Sequence, residues 1–302
     1  MAEVALNHDA AVAAGPPKPR RRSPLRALLR QPKVVFAGGF ILFLILLALI
    51  APLIAPHDPL DQDLLSGTLP PAGFAGAQPG YWLGTDDLGR DVLSRIMFGL
   101  RASLHVGILA VAFSLVIGVP LGLVAGYFRT VDALISRFTD LVLAFPFLIL
   151  AVGLAAIRGA SLGNAAIAIG IAQIPGMIRI VRSETLRLKS LDFVAAAVVE
   201  GAGDAWVLGR HILPNAGSAI IVQATVGIPA AILGEAVLSF LGLGIQPPAP
   251  SLGTMLADAQ QFASRAPWAA VMPGVAIMLL TLAFNIVGDS LRDALDPKAS
   301  RR

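Results

Sequence analysis

Cysteine is absent from this chain of 302 residues, which excludes disulfide bonds, thiol catalysis and cysteine-based zinc sites. Histidine is scarce, and no two histidines have the spacing of metal ligands. The four are His8, His57, His105 and His211. No group of serine, histidine and acidic residues indicates an active site. We therefore predict no catalytic residue, no metal site and no cofactor bound by the chain.

Lysine is equally scarce, and no lysine follows a glycine. The four are Lys18, Lys33, Lys189 and Lys298. A phosphate-binding loop requires a Gly-Lys pair before a helix. The chain has no loop of this kind, so we expect it not to hydrolyse ATP by itself.

Charge is also low, at 14% of residues, whereas 56% are hydrophobic and the mean hydropathy is +0.77. Soluble domains carry about 25% charged and about 45–50% apolar residues. A core of this size cannot bury the excess apolar surface, so lipid must cover part of it. The net charge of +4 reflects arginines that we assign to cytoplasmic loops. We expect contact with a lipid bilayer and none with nucleic acid.

Six apolar stretches are predicted to cross the membrane as helices. The first, 34–55, has no charged residue; at about 1.5 Å per residue it spans about 33 Å, enough for a hydrocarbon core of about 30 Å. The others are 103–128, 141–157 with a start near residue 133, 159–178, 220–243 and 266–287. The fold class is therefore an all-α membrane protein with six transmembrane helices.

The distribution of positive charge fixes the orientation, because cytoplasmic loops are enriched in Lys and Arg. With the N-terminus inside, only five of the 23 Lys and Arg residues lie outside. These are Arg90, Arg95, Arg101, Arg158 and Arg265. Both termini are thus predicted to be cytoplasmic, in a multi-pass protein of the cell (plasma or inner) membrane.

This topology divides the chain into five parts. They are a cytoplasmic tail, 1–33; the first transmembrane helix, 34–55; an extracytoplasmic loop with an interfacial helix, 56–102; a five-helix core, 103–290; and a second tail, 291–302. The core includes a cytoplasmic loop, 182–215. Within the five-helix core, Gly118, Gly122 and Gly126 recur every fourth residue, which predicts close helix packing along one face.

The cytoplasmic loop contains the most informative stretch, LDFVAAAVVEGAGDAWVLGRHILPN from Leu191 to Asn215. Val194–Glu200 is predicted to form a short helix that ends at Gly201. Asp204 is placed to cap a second helix. Such a helix–turn–helix suits insertion into a cleft on a soluble partner.

This stretch resembles the signature of ABC-importer permeases, which is E-A-A, three residues, G, nine residues and I-x-L-P. The matching positions are Ala195, Ala196, Ala197, Gly201, His211, Leu213 and Pro214. The usual glutamate is replaced by Ala195, and Glu200 lies five residues further on, where a helix points it elsewhere. The resemblance implies that these residues, with Glu200 and Asp204, form an ATPase-coupling loop.

A second string, WLGTDDLGRDVLSRIMFGLRASL, runs from Trp82 to Leu104 in the outer loop. Its acids alternate with arginines, so the segment can pair its charges internally, and its apolar residues suit a helix along the outer membrane face. The motif positions are Gly84, Thr85, Asp86, Asp87, Gly89, Arg90 and Asp91. Together with Gly234–Leu256, the string resembles the C-type permeases of dipeptide, oligopeptide, nickel and glutathione importers. One departure is Leu252, where those permeases usually carry tryptophan.

The resemblance implies a type I ABC-importer permease fold, in which five core helices pack against a homologous permease. It implies two ABC ATPase subunits that hold ATP and Mg, and an extracytoplasmic substrate-binding protein. The expected function is passage of di- or oligopeptides by alternating access, with nickel or glutathione as alternative substrates. A stand-alone secondary transporter and a membrane-embedded enzyme are alternatives from other classes; scarce membrane charges oppose the first, and the missing catalytic group opposes the second.

Glu235 is the one acidic residue clearly inside a predicted span, and a charge at that depth indicates either function or pairing. We consider it a candidate for the translocation path, where it would contact the amino terminus of a passing peptide. The alternative is that it pairs with a partner helix. Pairing is the favoured interpretation.

Overall fold

The computed structural model describes residues 32–295, which form ten α-helices, one short 3₁₀-helix and one π-helical stretch. The α-helices are α1 (Pro32–Ile54), α2 (Val92–Tyr127), α3 (Arg129–Ala144), α4 (Phe147–Arg158), α5 (Leu162–Lys189), α6 (Asp192–Val199), α7 (Asp204–Trp206), α8 (Leu213–Phe240), α9 (Leu252–Ala259) and α10 (Trp268–Leu295). The 3₁₀-helix is Leu64–Ser66 and the π-helix is Val207–Ile212. Most of the predicted tail 1–33 and the end of 291–302 lie outside the described residues.

Within residues 32–295, five helical stretches are long and apolar enough to cross a membrane. They are α1, α2, α5, the continuous stretch Asp204–Phe240 and α10. The third expected span, 141–157 with a start near residue 133, is instead a pair of helices, α3 and α4, bent by 84° at the break between them. Pro146 follows Phe145 at this break. Proline has no N–H to donate and disfavours helical backbone in the residue before it, so one straight helix cannot pass this point.

An interfacial helix was expected within 56–102, and the structure differs from this expectation at the outer end of α2. No separate α-helix precedes residue 92 in the described part of that loop; α2 itself begins at Val92 and continues for 36 residues. Asp91 caps this helix, because its Oδ2 accepts hydrogen bonds from Ser94 N at 2.9 Å and Ser94 Oγ at 2.6 Å. Ile96 and Leu100 are buried. The apolar residues thus pack inside the protein rather than along the membrane surface.

The core lies where α2, α5, α8 and α10 pack against one another, while α1 contacts only α2 and α10 among the closely packed pairs. One apolar cluster joins Ile41 of α1, Leu100 of α2, Ile232 of α8 and Leu280 of α10. The peripheral position of α1 agrees with its exposed apolar side chains, such as Phe36 and Leu53. Such side chains require lipid or protein around them.

Candidate functional site

The segment Leu191–Asn215 is predicted to be cytoplasmic and is called the cytoplasmic segment below. Its first helix is α6, which begins two residues and ends one residue earlier than expected. It ends at Gly201, whose φ of +86° lies in the left-handed region that favours glycine. Gly201 N donates to Val198 O, and Ala202 N donates to Ala197 O, both at 3.0 Å. These two bonds form a Schellman motif, which fixes the turn after α6.

The second helix of the segment begins differently from the expectation, because Asp204 is not its cap. Gly203 occupies the cap position, and no side chain caps the helix. Asp204 is the first helical residue, and its Oδ1 accepts a hydrogen bond from Tyr127 Oη at 2.9 Å. The aspartate therefore joins the cytoplasmic segment to the end of α2.

Pro214 lies two residues beyond the π-helical stretch, Val207–Ile212. It lies in the first turn of α8, which continues from α7 through the π-helical stretch. Proline cannot donate to the carbonyl four residues earlier, and its ring needs room there. A widened turn before Pro214 provides this room, and Asn215 Nδ2 donates to His211 O at 2.6 Å.

Five of the nine residues predicted to form the ATPase-coupling loop line an open cavity of ≈ 570 Å³ on the cytoplasmic segment. These are Ala196, Ala197, Glu200, Gly201 and His211, joined by Phe193, Ala202 and Trp206. Ala195, Leu213 and Pro214 do not line it. We call this space the cytoplasmic cavity.

Two aromatic residues at this cavity were not singled out from the sequence. Trp206 is 60% exposed and Phe193 is 42% exposed. An aromatic residue in a cytoplasmic loop is a signal that could have identified them, since large exposed apolar groups mark contact surfaces. Their exposure gives the segment an apolar contact surface, with the acidic Glu200 beside it.

The opposite face of the segment is anchored to the membrane helices. Val194, Val207 and Ile212 are buried in an apolar cluster with Tyr127 and Leu188, the latter two at the cytoplasmic ends of α2 and α5. The segment is thus packed onto two helices on one side and open on the other.

The three glycines of α2 lie against α5. A Cβ built on Gly118 would lie 2.7 Å from Met177 Cβ, and one on Gly122 would lie 2.6 Å from Val181 Cβ. Gly126 has the same relation to Thr185 Cβ, at 2.5 Å. Carbon atoms in contact prefer about 3.5–4.0 Å. At these three positions the two helices are therefore closer than any side chain allows.

On the outer face, Asp86 is the centre of a buried charge cluster. Its Oδ2 accepts from Arg90 Nε at 2.7 Å and lies 3.6 Å from Arg95 Nε. Both arginines also approach Asp258 of α9, at 3.4 Å and 3.8 Å. Asp86 and Arg90 of the outer motif, Gly84–Asp91, therefore pair with each other, and Arg90 also pairs with a residue distant in sequence.

Thr85 and Gly89 fix the backbone of the outer motif. Thr85 Oγ1 donates to Ser66 O at 2.6 Å, and Trp268 Nε1 donates to Thr85 O at 3.1 Å. Gly89 has a φ of +75° and abuts the backbone of Asp63 so closely that a Cβ would collide with it. The motif thereby holds the outer loop onto the start of α10.

Asp87 is the exposed acid of the outer motif. Partial burial, followed by the negative charge of Asp86, raises the pKa of its carboxyl group above the ordinary value of 3.8.

No group of three or more His, Asp or Glu residues that could hold a metal ion occurs between residues 32 and 295.

Glu235 is 0% exposed. Its Oε2 accepts from Ser103 Oγ of α2 at 2.6 Å, and its Oε1 accepts from Ser239 Oγ at 2.7 Å. Both carboxylate oxygens thus accept hydrogen bonds from serines of the same chain. The geometry favours the pairing interpretation, with α2 of the same chain as the partner helix.

Comparison with known proteins places these features in a family. The sequence pattern of the family described as "Binding-protein-dependent transport system inner membrane component" matches residues 118–301. The pattern of the "N-terminal TM domain of oligopeptide transport permease C" matches residues 21–71.

Individual relatives are similar over most of their length. The dipeptide transport system permease protein DppC of Haemophilus influenzae is 46% identical over 86% of this chain and 88% of its own. The glutathione transport system permease protein GsiD of Pectobacterium atrosepticum is 44% identical over 90% of this chain and 89% of its own.

A solved structure supports the fold. A chain of the inward-facing MetNI methionine ABC transporter superimposes with a TM-score of 0.57 at 20% identity, covering 68% of this chain and 96% of that one. At this identity the likeness concerns the fold alone.

Proposed function

We propose that this chain, which belongs to the family of binding-protein-dependent transport system inner membrane components, forms half of the membrane path of an ABC importer for dipeptides or short oligopeptides. The observation that carries the proposal is the cytoplasmic segment. It exposes Trp206 and Phe193 around the cytoplasmic cavity, while its other face is packed onto α2 and α5. A surface of this kind receives a soluble partner and passes its movement to the membrane helices.

The partners follow from what the chain does and does not contain. No Gly-Lys pair exists for binding ATP phosphates, so we assign ATP and Mg to two ABC ATPase subunits in the cytoplasm. We assign the second half of the path to a homologous permease. Exposed apolar side chains on α3 and α4, such as Leu134, Phe138 and Ile157, provide surface for lipid or this second permease.

The proposed mechanism is alternating access driven from the cytoplasm. ATP binding closes the ATPase dimer, and this movement displaces the cytoplasmic segment together with α2, α5 and α8. Packed helices move as rigid bodies between discrete arrangements. The path thereby opens outward to receive solute from an extracytoplasmic binding protein, and it opens inward after hydrolysis.

The proposed substrate class rests on the relatives, whose names describe dipeptide and glutathione transport. Glutathione is therefore the second candidate, and a nickel complex is a more distant one. The outer motif and Glu235 are proposed to hold the outer ends of the helices in place, because their polar groups bind within the chain.

The proposal is tested by purifying the tagged chain in mild detergent and identifying its companions by mass spectrometry. We expect a homologous permease and one or two ABC ATPases in stoichiometric amounts. Recovery of the chain alone, under conditions that keep other membrane complexes intact, would contradict the proposal. A stand-alone transporter would then be the class to test.

A further inference from the structure

Three polar side chains meet where the cytoplasmic segment joins the membrane helices. Tyr127 is the last residue of α2, Lys189 is the last residue of α5, and Asp204 is the first residue of α7. Tyr127 Oη donates to Asp204 Oδ1 at 2.9 Å. Lys189 Nζ donates to Tyr127 O at 2.6 Å and lies 4.6 Å from the centre of the Tyr127 ring. We call these three residues the junction triad.

Lys189 is bound to Tyr127 in two ways at once. The backbone carbonyl of Tyr127 lies at the C-terminus of α2, where the helix dipole places partial negative charge and favours a cation. The ring face offers a second attraction to the same ammonium group. The lysine therefore ties the cytoplasmic end of α5 to the end of α2.

Tyr127 also links the α2–α5 pair to the cytoplasmic segment. Tyr127 is 8% exposed and belongs to the apolar cluster with Val207 and Ile212. Its hydroxyl group reaches out of that cluster to Asp204, an exposed residue. Within the triad, the hydrogen bond to Asp204 is the contact that joins the start of the second helix of the segment to α2.

The glycines of α2 that lie against α5 cause the two helices to move as one rigid body. Gly118, Gly122 and Gly126 let the two helices approach so closely that no side chain fits between them at these positions. A displacement of Asp204 that reaches Tyr127 therefore moves both helices together.

From this geometry we infer that Tyr127, Lys189 and Asp204 are positioning residues that transmit the displacement of the cytoplasmic segment to the α2–α5 pair. The inference rests on the proposed function, since it presumes an ATPase that moves the segment. The triad does not bind the ATPase: none of its members lines the cytoplasmic cavity. Its loss uncouples ATP hydrolysis from transport while the subunits stay assembled.

The experiment compares variants in the whole purified complex, reconstituted in proteoliposomes with the binding protein and a dipeptide. Two quantities are measured: peptide imported per ATP hydrolysed, and ATPase subunits retained per permease. Tyr127→Phe removes only the hydroxyl group and leaves the buried ring. Because one hydrogen bond to a charged group is lost, we expect import per ATP to fall about tenfold or more, with subunit retention unchanged.

A double-mutant comparison shows whether the triad acts as a unit. Asp204→Ala should lower import per ATP to the same extent as Tyr127→Phe, and the double variant should lose no more than either one, because both remove the same bond. Lys189→Met should also uncouple, and Lys189→Arg should restore most of the coupling.

Arg187→Met is the matched control. Arg187 lies on the same end of α5, but it pairs with Glu184, so its replacement should leave both quantities unchanged.

The possible results separate the inference from the proposed function. If wild-type complex contains no ATPase, the proposed function fails and the inference fails with it. If the wild type imports peptide but Tyr127→Phe keeps its import per ATP, the inference alone is overturned. It is also overturned if Tyr127→Phe and Asp204→Ala act additively, or if either variant loses its ATPase subunits.

Discussion

Replacing Gly122 by alanine is expected to force α2 and α5 apart and to destabilise the protein. The added Cβ would lie 2.6 Å from Val181 Cβ and 3.0 Å from Ile178 O. The nearest atom is a Cβ attached directly to the α5 backbone, so a rotamer change cannot remove it. The helices themselves must shift.

The magnitude follows from the contact distance. Carbon atoms pack at about 3.5–4.0 Å, so the two helices must separate by about 1 Å at this point. Overpacking of a close-packed interior costs about 1–3 kcal/mol. Alanine recovers about 0.5–1 kcal/mol as the better helix former, which leaves a net loss of about 0–2.5 kcal/mol, and a difference of about 1–3 kcal/mol from an alanine placed in a helix where it meets no neighbour.

The assay is thermal unfolding of the purified chain in mild detergent, with Gly39→Ala as the matched control. Gly39 is also a helical glycine, in α1, but a Cβ there meets nothing within 4 Å. We expect Gly39→Ala to be neutral or stabilising and Gly122→Ala to unfold at lower temperature. Equal stability of the two variants would refute the packing argument.

Three further predictions concern other sites. Glu235→Gln should keep the unfolding temperature nearly unchanged, since an amide still offers partners to both serines. Glu235→Leu should lower the free energy of unfolding by about 1–3 kcal/mol. Loss of uptake in a stable Glu235→Gln protein would instead indicate that Glu235 contacts the solute. The raised pKa of Asp87 means that its protonated form is favoured in the folded state, so its contribution to stability is present below pH 3.8 and is lost as pH rises through the folded pKa. The unfolding temperature of the wild type should therefore fall between pH 4 and pH 7, and Asp87→Asn should remove part of this fall. Identical pH profiles of the wild type and the variant would exclude this effect. Trp206→Ala should leave the unfolding temperature within the range of surface substitutions but weaken ATPase retention in pull-downs by about tenfold or more. The control is Leu65→Ala, which should retain the ATPase, because Leu65 is 97% exposed in the outer loop.

The positions of the first and last transmembrane helices were predictable from composition alone. α1 and α10 begin within two residues of the predicted starts, because a long uncharged run must be helical in lipid. The break at Pro146 was harder to predict, since membrane helices often tolerate proline when neighbouring groups satisfy the freed backbone.

The residues of the cytoplasmic segment were predictable, but several of their contacts were not. The small residues of α6 and the turn at Gly201 follow from local sequence. Asp204 has the residue type of a helix cap, yet it bonds to Tyr127, 77 residues earlier in the chain. Arg90 likewise reaches Asp258 across 168 residues. Local pattern does not determine such long-range pairs; they depend on how the helices pack.

The most direct test of the central claim is peptide uptake by proteoliposomes that contain the purified permease pair, the ATPases and the binding protein. We predict that dipeptide accumulates on the ATPase side against its gradient, only with hydrolysable ATP and only when the binding protein is present on the opposite side. Accumulation driven by an ion gradient in vesicles that contain this chain alone would contradict the account.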